Sequence, residues 1–417
     1  MAAAGLLRSL NWVVAANAIA GVINFFSLAW FARRVGAASM GDYALVVTVV
    51  QLIASVLSAG FDQAVIRMPK DRDIAAAAGI ATVIQSVLLV AISGFVYLYF
   101  FLHSSTESAR LFGAAWLIVA AIIITFFANL LAAPIAAEMD YRFLSAARLI
   151  STLLGLALGV SLAISAFGVY SLACRDAFGA VVMLLLCRFR RRSGLPWLTN
   201  RAGVRRLMQF TKGLWTLNVM ERLVFRIDYG IVGLIFGKDV LGIYFVIRGL
   251  VEGILGFLVT PIQTVLFSHY CGLDETFQQE PGQQRRVGCT YVATGAAVAA
   301  LAWIFAHAAI GKLLGPRYAD GSVLVPGLVI YAAGILWFEY VKVRAMSQYR
   351  HNKLVYARML QMGAFVVLIF PCAYLFGIGG AGLATAAGGA VLAFSSYRLY
   401  EGANRNGLWE RRNADQA

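Results

Sequence analysis

Long apolar runs separated by short polar breaks dominate the chain. A helix that crosses a bilayer needs about 20 consecutive apolar residues, and on that measure the pattern predicts twelve spans. Six lie near residues 10–31, 43–66, 80–102, 111–137, 143–167 and 169–187. Six more lie near 210–236, 241–267, 289–310, 323–343, 354–376 and 379–400. The runs are continuous and do not alternate, so they predict helices and not barrel strands. The expected fold is all-α and polytopic.

The stretch 209–237 breaks the pattern. It is apolar enough to cross, yet it carries Lys212, Glu221, Arg222, Arg226 and Asp228. At about 100° per residue, Glu221 and Asp228 fall roughly 20° apart and Arg222 and Arg226 roughly 40° apart. Asn218, Tyr229 and Trp215 fill the same arc, and Leu223, Val224, Ile227 and Ile231 occupy the other side. An ionised side chain at the centre of an inserted helix costs roughly 2.5 to 3.5 kcal/mol. The charged arc is therefore expected to face protein or water.

Composition agrees with a membrane protein: 61% of residues are hydrophobic, 13% are charged and the mean hydropathy is +0.77. Soluble globular domains are excluded. The net charge of +15 invites a nucleic-acid reading, but no zinc-finger spacing or RNA-binding aromatic signature accompanies it. Loop basicity that sets topology explains the charge better. With both termini inside, the loops on that side hold twenty lysines and arginines against six on the other. Both termini and the Arg-rich loop 188–206 are therefore expected to be cytoplasmic. The five cysteines are far apart and read as small core residues, not as a disulfide framework. The N-terminus has signal-peptide features, but its apolar run continues to Phe31, which predicts an uncleaved first span.

The basic loop divides two similar halves. A shift of 201 residues matches Asn17 with Asn218, Gly36 with Gly237, Gly41 with Gly242 and Tyr43 with Tyr244. A shift of 208 matches Tyr141-Arg142 with Tyr349-Arg350, and a shift of 211 matches Gly168, Leu172 and Ala173 with Gly379, Leu383 and Ala384. Six spans per repeat give the copies the same orientation, with a substrate path between them. The expected organisation is an N-terminal six-helix bundle at 1–187, a basic cytoplasmic linker at 188–206, a second bundle at 207–402 and a cytoplasmic tail at 403–417.

Several motifs have plain explanations. The run Gly377-Ile378-Gly379-Gly380-Ala381-Gly382 satisfies G-x-G-x-x-G, but no strand precedes it, so close helix packing is expected. No P-loop occurs, and the four histidines lack metal-ligand spacing, so no metal site is expected. The longest loops are too short for a soluble catalytic domain, and no enzyme activity is expected. Within the spans, nine basic residues face five acidic ones. Arg148, Lys212, Lys342, Arg344 and Arg358 are near enough to span ends to snorkel. Arg248 and Glu252, four apart, can neutralise each other, as can Arg175 and Asp176 with partners on other helices. Arg222 and Arg226 remain as an anion clamp, because a guanidinium stays charged and bonds phosphate oxygens bidentately. A polar stripe of Asn17, Asn24 and Ser27 could line the same cavity, as helix packing could equally explain it.

The chain resembles the Wzx-type polysaccharide transporters, lipid-linked oligosaccharide flippases of the multidrug/oligosaccharidyl-lipid/polysaccharide exporter superfamily. The residues that carry the resemblance in the first half are Ala32-Arg33-Arg34-Val35-Gly36, Gly41-Asp42-Tyr43 and Asp140-Tyr141-Arg142-Phe143. In the second half they are Phe210-Thr211-Lys212-Gly213, Arg226-Ile227-Asp228, Gly237, Leu241-Gly242-Ile243-Tyr244, Pro261 and Phe267. The resemblance implies two pseudo-symmetric six-helix bundles around a central cavity. It implies alternating access that moves an undecaprenyl-diphosphate-linked oligosaccharide for O-antigen, capsule or exopolysaccharide assembly in the bacterial cytoplasmic membrane. A polysaccharide polymerase and chain-length machinery are candidate partners. By position, Arg222, Arg226, Arg248, Asn218 and Tyr229 are the expected diphosphate and cavity residues. Glu221, Asp228 and Glu252 are candidates for a coupling proton or sodium ion, and no other cofactor is expected. Asn17, Asn24, Arg175 and Asp176 are weaker cavity candidates. Two alternatives stand beside this reading: a multidrug and toxin extrusion type cation exporter, and a membrane-embedded glycosyltransferase or polysaccharide ligase.

Overall fold

The computed structural model describes residues 2–68, 71–103, 107–138, 140–191, 200–272, 314–347 and 351–414. The helices are α1 (Ala2–Val35), α2 (Ala37–Leu57), α3 (Phe61–Arg67), α4 (Arg72–His103), α5 (Glu107–Ala137), α6 (Tyr141–Ile164), α7 (Val169–Arg190) and α8 (Arg201–Gly272). After a 3-10 segment at Pro316–Leu324 follow α9 (Val325–Ser347), α10 (His351–Phe376) and α11 (Ile378–Ala414). Nine helical segments among the described residues are long and apolar enough to cross a membrane, with the two arms of α8 taken together. The chain is an all-α, multi-pass membrane protein. The expected span 289–310 lies outside the described residues; the other expected spans fall on helical segments, 43–66 on two of them and 323–343 starting in the 3-10 segment.

The second expected span, 43–66, is not continuous. It breaks after Leu57, and α3 restarts behind Gly60, whose φ of 72° is left-handed. Broken backbone at membrane depth is tolerated where it borders a polar cavity or is buried in protein. The carbonyl of Val56 at this break accepts from Trp215 Nε1 at 2.7 Å.

Two compact units are resolved by their backbone contacts, Met1–Val246 and Ile247–Ala417. In the first, α5 is the central helix and touches α2, α3, α4, α6 and α7. Small residues permit the close approach: a Cβ on Gly155 of α6 would stand 2.7 Å from the Arg175 carbonyl of α7. Within this unit α3, α4, α5 and the start of α8 pack together through an apolar cluster of Ala64, Val65, Ile74, Ala77, Ala78, Leu130, Ala133 and Leu207. Polar caps fix the same helices. Asp71 Oδ1 accepts from the N–H groups of Asp73 and Ile74 at the start of α4, while its Oδ2 pairs with Arg206 at 2.6 Å. Asp140 caps α6 through the N–H of Phe143 and pairs with Arg190 at 2.9 Å.

In the second unit α11 packs on both α9 and α10. A Cβ on Gly327 would strike the Gly382 carbonyl, and one on Gly334 would strike that of Gly389. Gly380 abuts the Cys372 carbonyl in the same way. The glycine-rich run therefore serves close helix packing, as its sequence context predicts.

The glycines also carry the repeat. Gly36 (φ 89°) separates α1 from α2, and Gly237 (φ 81°) breaks α8 into two arms. These two positions correspond at the shift of 201. Gly168 (φ 54°) precedes α7 and Gly377 (φ 57°) precedes α11, which is a shift of 209, not the 211 that residue identities suggest. Burial agrees with the smaller shift: Leu172 and Ala381 are both fully buried, whereas Leu383 is 48% exposed.

Candidate functional site

The first arm of α8 presents Asn218, Arg222 and Arg226 at intervals of four residues, which places them on one stripe of the helix. That stripe forms one wall of a cavity of about 430 Å³ that lies wholly within the first unit. Opposite it, α2 contributes Gln51, the α2–α3 break contributes Ser58 and Gly60, and α3 contributes Asp62 and Gln63. From α4 come Thr82 and Gln85, from α5 Thr125, Phe126 and Asn129, and from α7 Asp176. The Arg226 guanidinium also lies 5.4 Å from the centre of the Tyr229 ring.

Asp176 brings negative charge to the cavity in a fixed orientation. Arg175 Nε donates to its Oδ1 at 2.8 Å, and Tyr43 OH donates to its Oδ2. The Arg175 guanidinium stacks 5.6 Å from Phe31. Arg175 thus pairs with its immediate neighbour.

Other expected site residues lie elsewhere. Asp228 is 3% exposed and accepts from its neighbour's N–H, Tyr229 N, and from Tyr244 OH, both at 2.8 Å. Tyr229 is buried edge-on against Tyr244, with ring centres 5.6 Å apart. The charged arc of the sequence thus divides. Asn218, Arg222 and Arg226 border the cavity, whereas Asp228 and Tyr229 are covered by Tyr244 on the chain that returns after Gly237. Glu221 is half-buried on α8 and is not part of the cavity lining. Asn24 is exposed on α1, where its carbonyl accepts from Ser27 Oγ at 2.9 Å. The side chain of Asn17 lies outside the described residues.

Arg248 and Glu252 belong to the second unit. Arg248 is 1% exposed, binds Glu252 Oε1 at 2.7 Å and donates to Tyr331 OH at 3.2 Å. A second buried ionic cluster lies in this unit. Arg358 is fully buried, with Nη2 on Glu339 Oε1 at 3.1 Å, Nη1 on Gln361 Oε1 at 2.9 Å and its guanidinium 4.0 Å from the Phe338 ring centre. Lys342 holds the other oxygen of Glu339 at 3.3 Å. The expectation that Arg358 snorkels to an interface is corrected here: an ionic partner on the neighbouring helix holds it inside.

Charge alone does not identify Gln51, Gln85, Thr125 and Asn129 as cavity residues. A subtler signal exists, because Thr82 and Gln85 are three apart and Thr125 and Asn129 four apart, each pair on one face of an apolar span. Among the described residues no cluster of three or more histidine, cysteine, aspartate and glutamate side chains is placed to hold a metal.

Comparisons with known proteins follow this geometry. A family model described as polysaccharide biosynthesis protein matches residues 31–323. No curated protein matches the chain in sequence. In structure the chain is similar to the lipid II flippase MurJ in an inward closed conformation, with TM-score 0.70 and 10% identity over 93% of this chain and 87% of that one. It is also similar to a multidrug resistance MATE family transporter of the MOP superfamily. Its inward-facing form gives TM-score 0.67 and 14% identity, over 93% of this chain and 99% of that one. The outward-facing form gives TM-score 0.64 and 14% identity, over 96% of each chain. At these identities the likeness establishes a common fold.

Proposed function

The chain belongs to the polysaccharide biosynthesis protein family, and from that premise we propose that it is a flippase. Its cargo in this reading is an undecaprenyl-diphosphate-linked oligosaccharide, moved across the bacterial cytoplasmic membrane for surface polysaccharide assembly. The observation that carries the reading is the stripe of Asn218, Arg222 and Arg226 on the wall of a polar cavity. Two guanidiniums one helical turn apart suit a diphosphate, because each offers a planar fork to phosphate oxygens and neither can lose its charge. The same pair disfavours the cation-exporter alternative, since a cationic drug would meet like charge on the wall.

Transport in this reading is secondary and draws on a proton or sodium gradient, and the chain moves its cargo without altering it chemically. Glu221, Asp228 and Glu252 are the expected coupling carboxylates, and Asp62 and Asp176 are two further carboxylates that border the cavity. Both termini are assigned to the cytoplasm, and a polymerase and its chain-length partners receive the cargo on the far side. Exchange of cargo between the two faces involves the two sequence repeats, 1–187 and 207–402.

The test is translocation in proteoliposomes. The Arg222→Gln/Arg226→Gln double variant is expected to insert normally and to move no polyprenyl-diphosphate glycan. Undiminished transport by that variant would sink the clamp.

A further inference from the structure

The first arm of α8 is fastened to the rest of the first unit at its start as well as beside the cavity. Arg206 Nη1 lies 2.6 Å from Asp71 Oδ2, and its Nη2 lies 3.7 Å from Asp73 Oδ2, an oxygen that also accepts from Asn200 Nδ2 at 2.9 Å. Asp71 and Asp73 stand at the turn from α3 into α4, so these contacts join that turn to the residues that open α8. Further along the same arm, Trp215 Nε1 donates to the Val56 carbonyl at the break in the second span.

The order of residues along four elements gives these contacts a place. On α4 the chain passes from Asp73 to the apolar Ile74, Ala77 and Ala78, and then to Thr82 and Gln85 of the cavity. On α8 it passes likewise from Arg206 to Leu207, and then to Asn218 and Arg222. The other two run in reverse, α3 from Gln63 to Ala64 and Val65, and α5 from Asn129 to Leu130 and Ala133. All four therefore place an apolar layer at the same end of the cavity, and α4 and α8 add an ionic layer outside it.

Both layers are built to separate. Four of the eight buried members of the apolar layer are alanines, and burial stabilises in proportion to the area removed from water. The Arg206 side chain is 49% exposed and that of Asp73 37%. An ion pair open to water contributes little and is weakened by salt. Such a pair makes a poor permanent staple and a good contact to form and release.

We propose that Arg206, Asp71 and Asp73 form a latch that keeps the cavity closed at the end where α3 turns into α4, and that the start of α8 moves away from that turn when the latch is released. This is the end that loop charge assigns to the cytoplasm. The latch goes beyond the flippase reading and does not depend on the cargo, because what it controls is access to the cavity.

Thiol labelling of the full-length protein, otherwise free of cysteine, in membrane vesicles of both orientations tests the latch. Thr125→Cys reports on the cavity, and the exposed position Ala202→Cys shows which vesicles present the latch outward and serves as the reference rate. With a membrane-impermeant maleimide added to those vesicles, Arg206→Gln and Asp71→Asn/Asp73→Asn should each label Thr125→Cys about threefold faster or more than the intact latch does. Asparagine caps a helix as aspartate does, so the second variant removes the latch and keeps the start of α4. Added salt should speed labelling with the intact latch and leave the Arg206→Gln rate unchanged. An unchanged rate in either inserted variant overturns the latch, as does an intact-latch rate that salt does not move; if neither variant inserts, the salt series decides alone. Transport that survives loss of Arg222 and Arg226 would overturn the clamp and leave this measurement untouched.

Discussion

Gly41 and Gly242 meet backbone to backbone, and each excludes a side chain for the mirror-image reason. A Cβ on Gly41 would strike the carbonyl of Lys238, and one on Gly242 would strike that of Ala37. Under the shift of 201 residues these are the same contact seen from its two sides. The start of α2 and the second arm of α8 thus cross through a local two-fold relation that only glycine permits. Gly41→Ala or Gly242→Ala should each cost about 1 to 3 kcal/mol through overpacking. The double variant should cost less than the sum, because one displacement of the helices relieves both clashes. Thermal melting of the purified variants checks both statements.

Tyr43 and Tyr244 are also related by that shift, and each hydroxyl donates to an aspartate: Asp176 and Asp228 respectively. Asp176 borders the cavity, where water can replace a lost donor, whereas Asp228 is 3% exposed. Tyr244→Phe is therefore expected to destabilise more than Tyr43→Phe, at about 1.5 to 3 kcal/mol for a bond to a charged group. Equal melting points would contradict this.

Glu339 accepts from Arg358 and Lys342 on its two oxygens. Glu339→Leu should cost more than Arg358→Met, because it takes the carboxylate from two cations at once, and about 3 to 5 kcal/mol is the usual cost of breaking a buried pair. The combined variant should recover part of that loss. Denaturation of the three proteins in one detergent decides it.

Arg222→Lys/Arg226→Lys keeps both charges and removes the planar forks. If the arginines hold a diphosphate bidentately, binding of undecaprenyl diphosphate should fall about tenfold or more while insertion is unchanged. A lysine pair that binds as well would reduce the clamp to simple charge attraction.

The orientation assigned from loop charge has its own check. A cysteine introduced as Ser193→Cys in a cysteine-free background should resist a membrane-impermeant maleimide applied to intact spheroplasts and react after lysis. Labelling of intact spheroplasts would invert the topology.

Sequence alone determined what depends on local periodicity and on the bilayer. Apolar length set the spans, because hydrocarbon demands about 20 residues of helix. Paired glycines at Gly36 and Gly237 announced the repeat. The four-residue spacing of Asn218, Arg222 and Arg226 placed them on one face before any contact was known. Periodicity says which residues share a face, but not what stands across from it. Only the tertiary structure therefore broke the second span at Gly60, buried Arg358 against Glu339, and turned Asp228 and Tyr229 toward Tyr244. It also gathered Gln51, Gln85 and Asn129 from three helices around one cavity. Each of these outcomes depends on groups distant in the chain, and a polar side chain in an apolar run carries no mark of the partner it will meet.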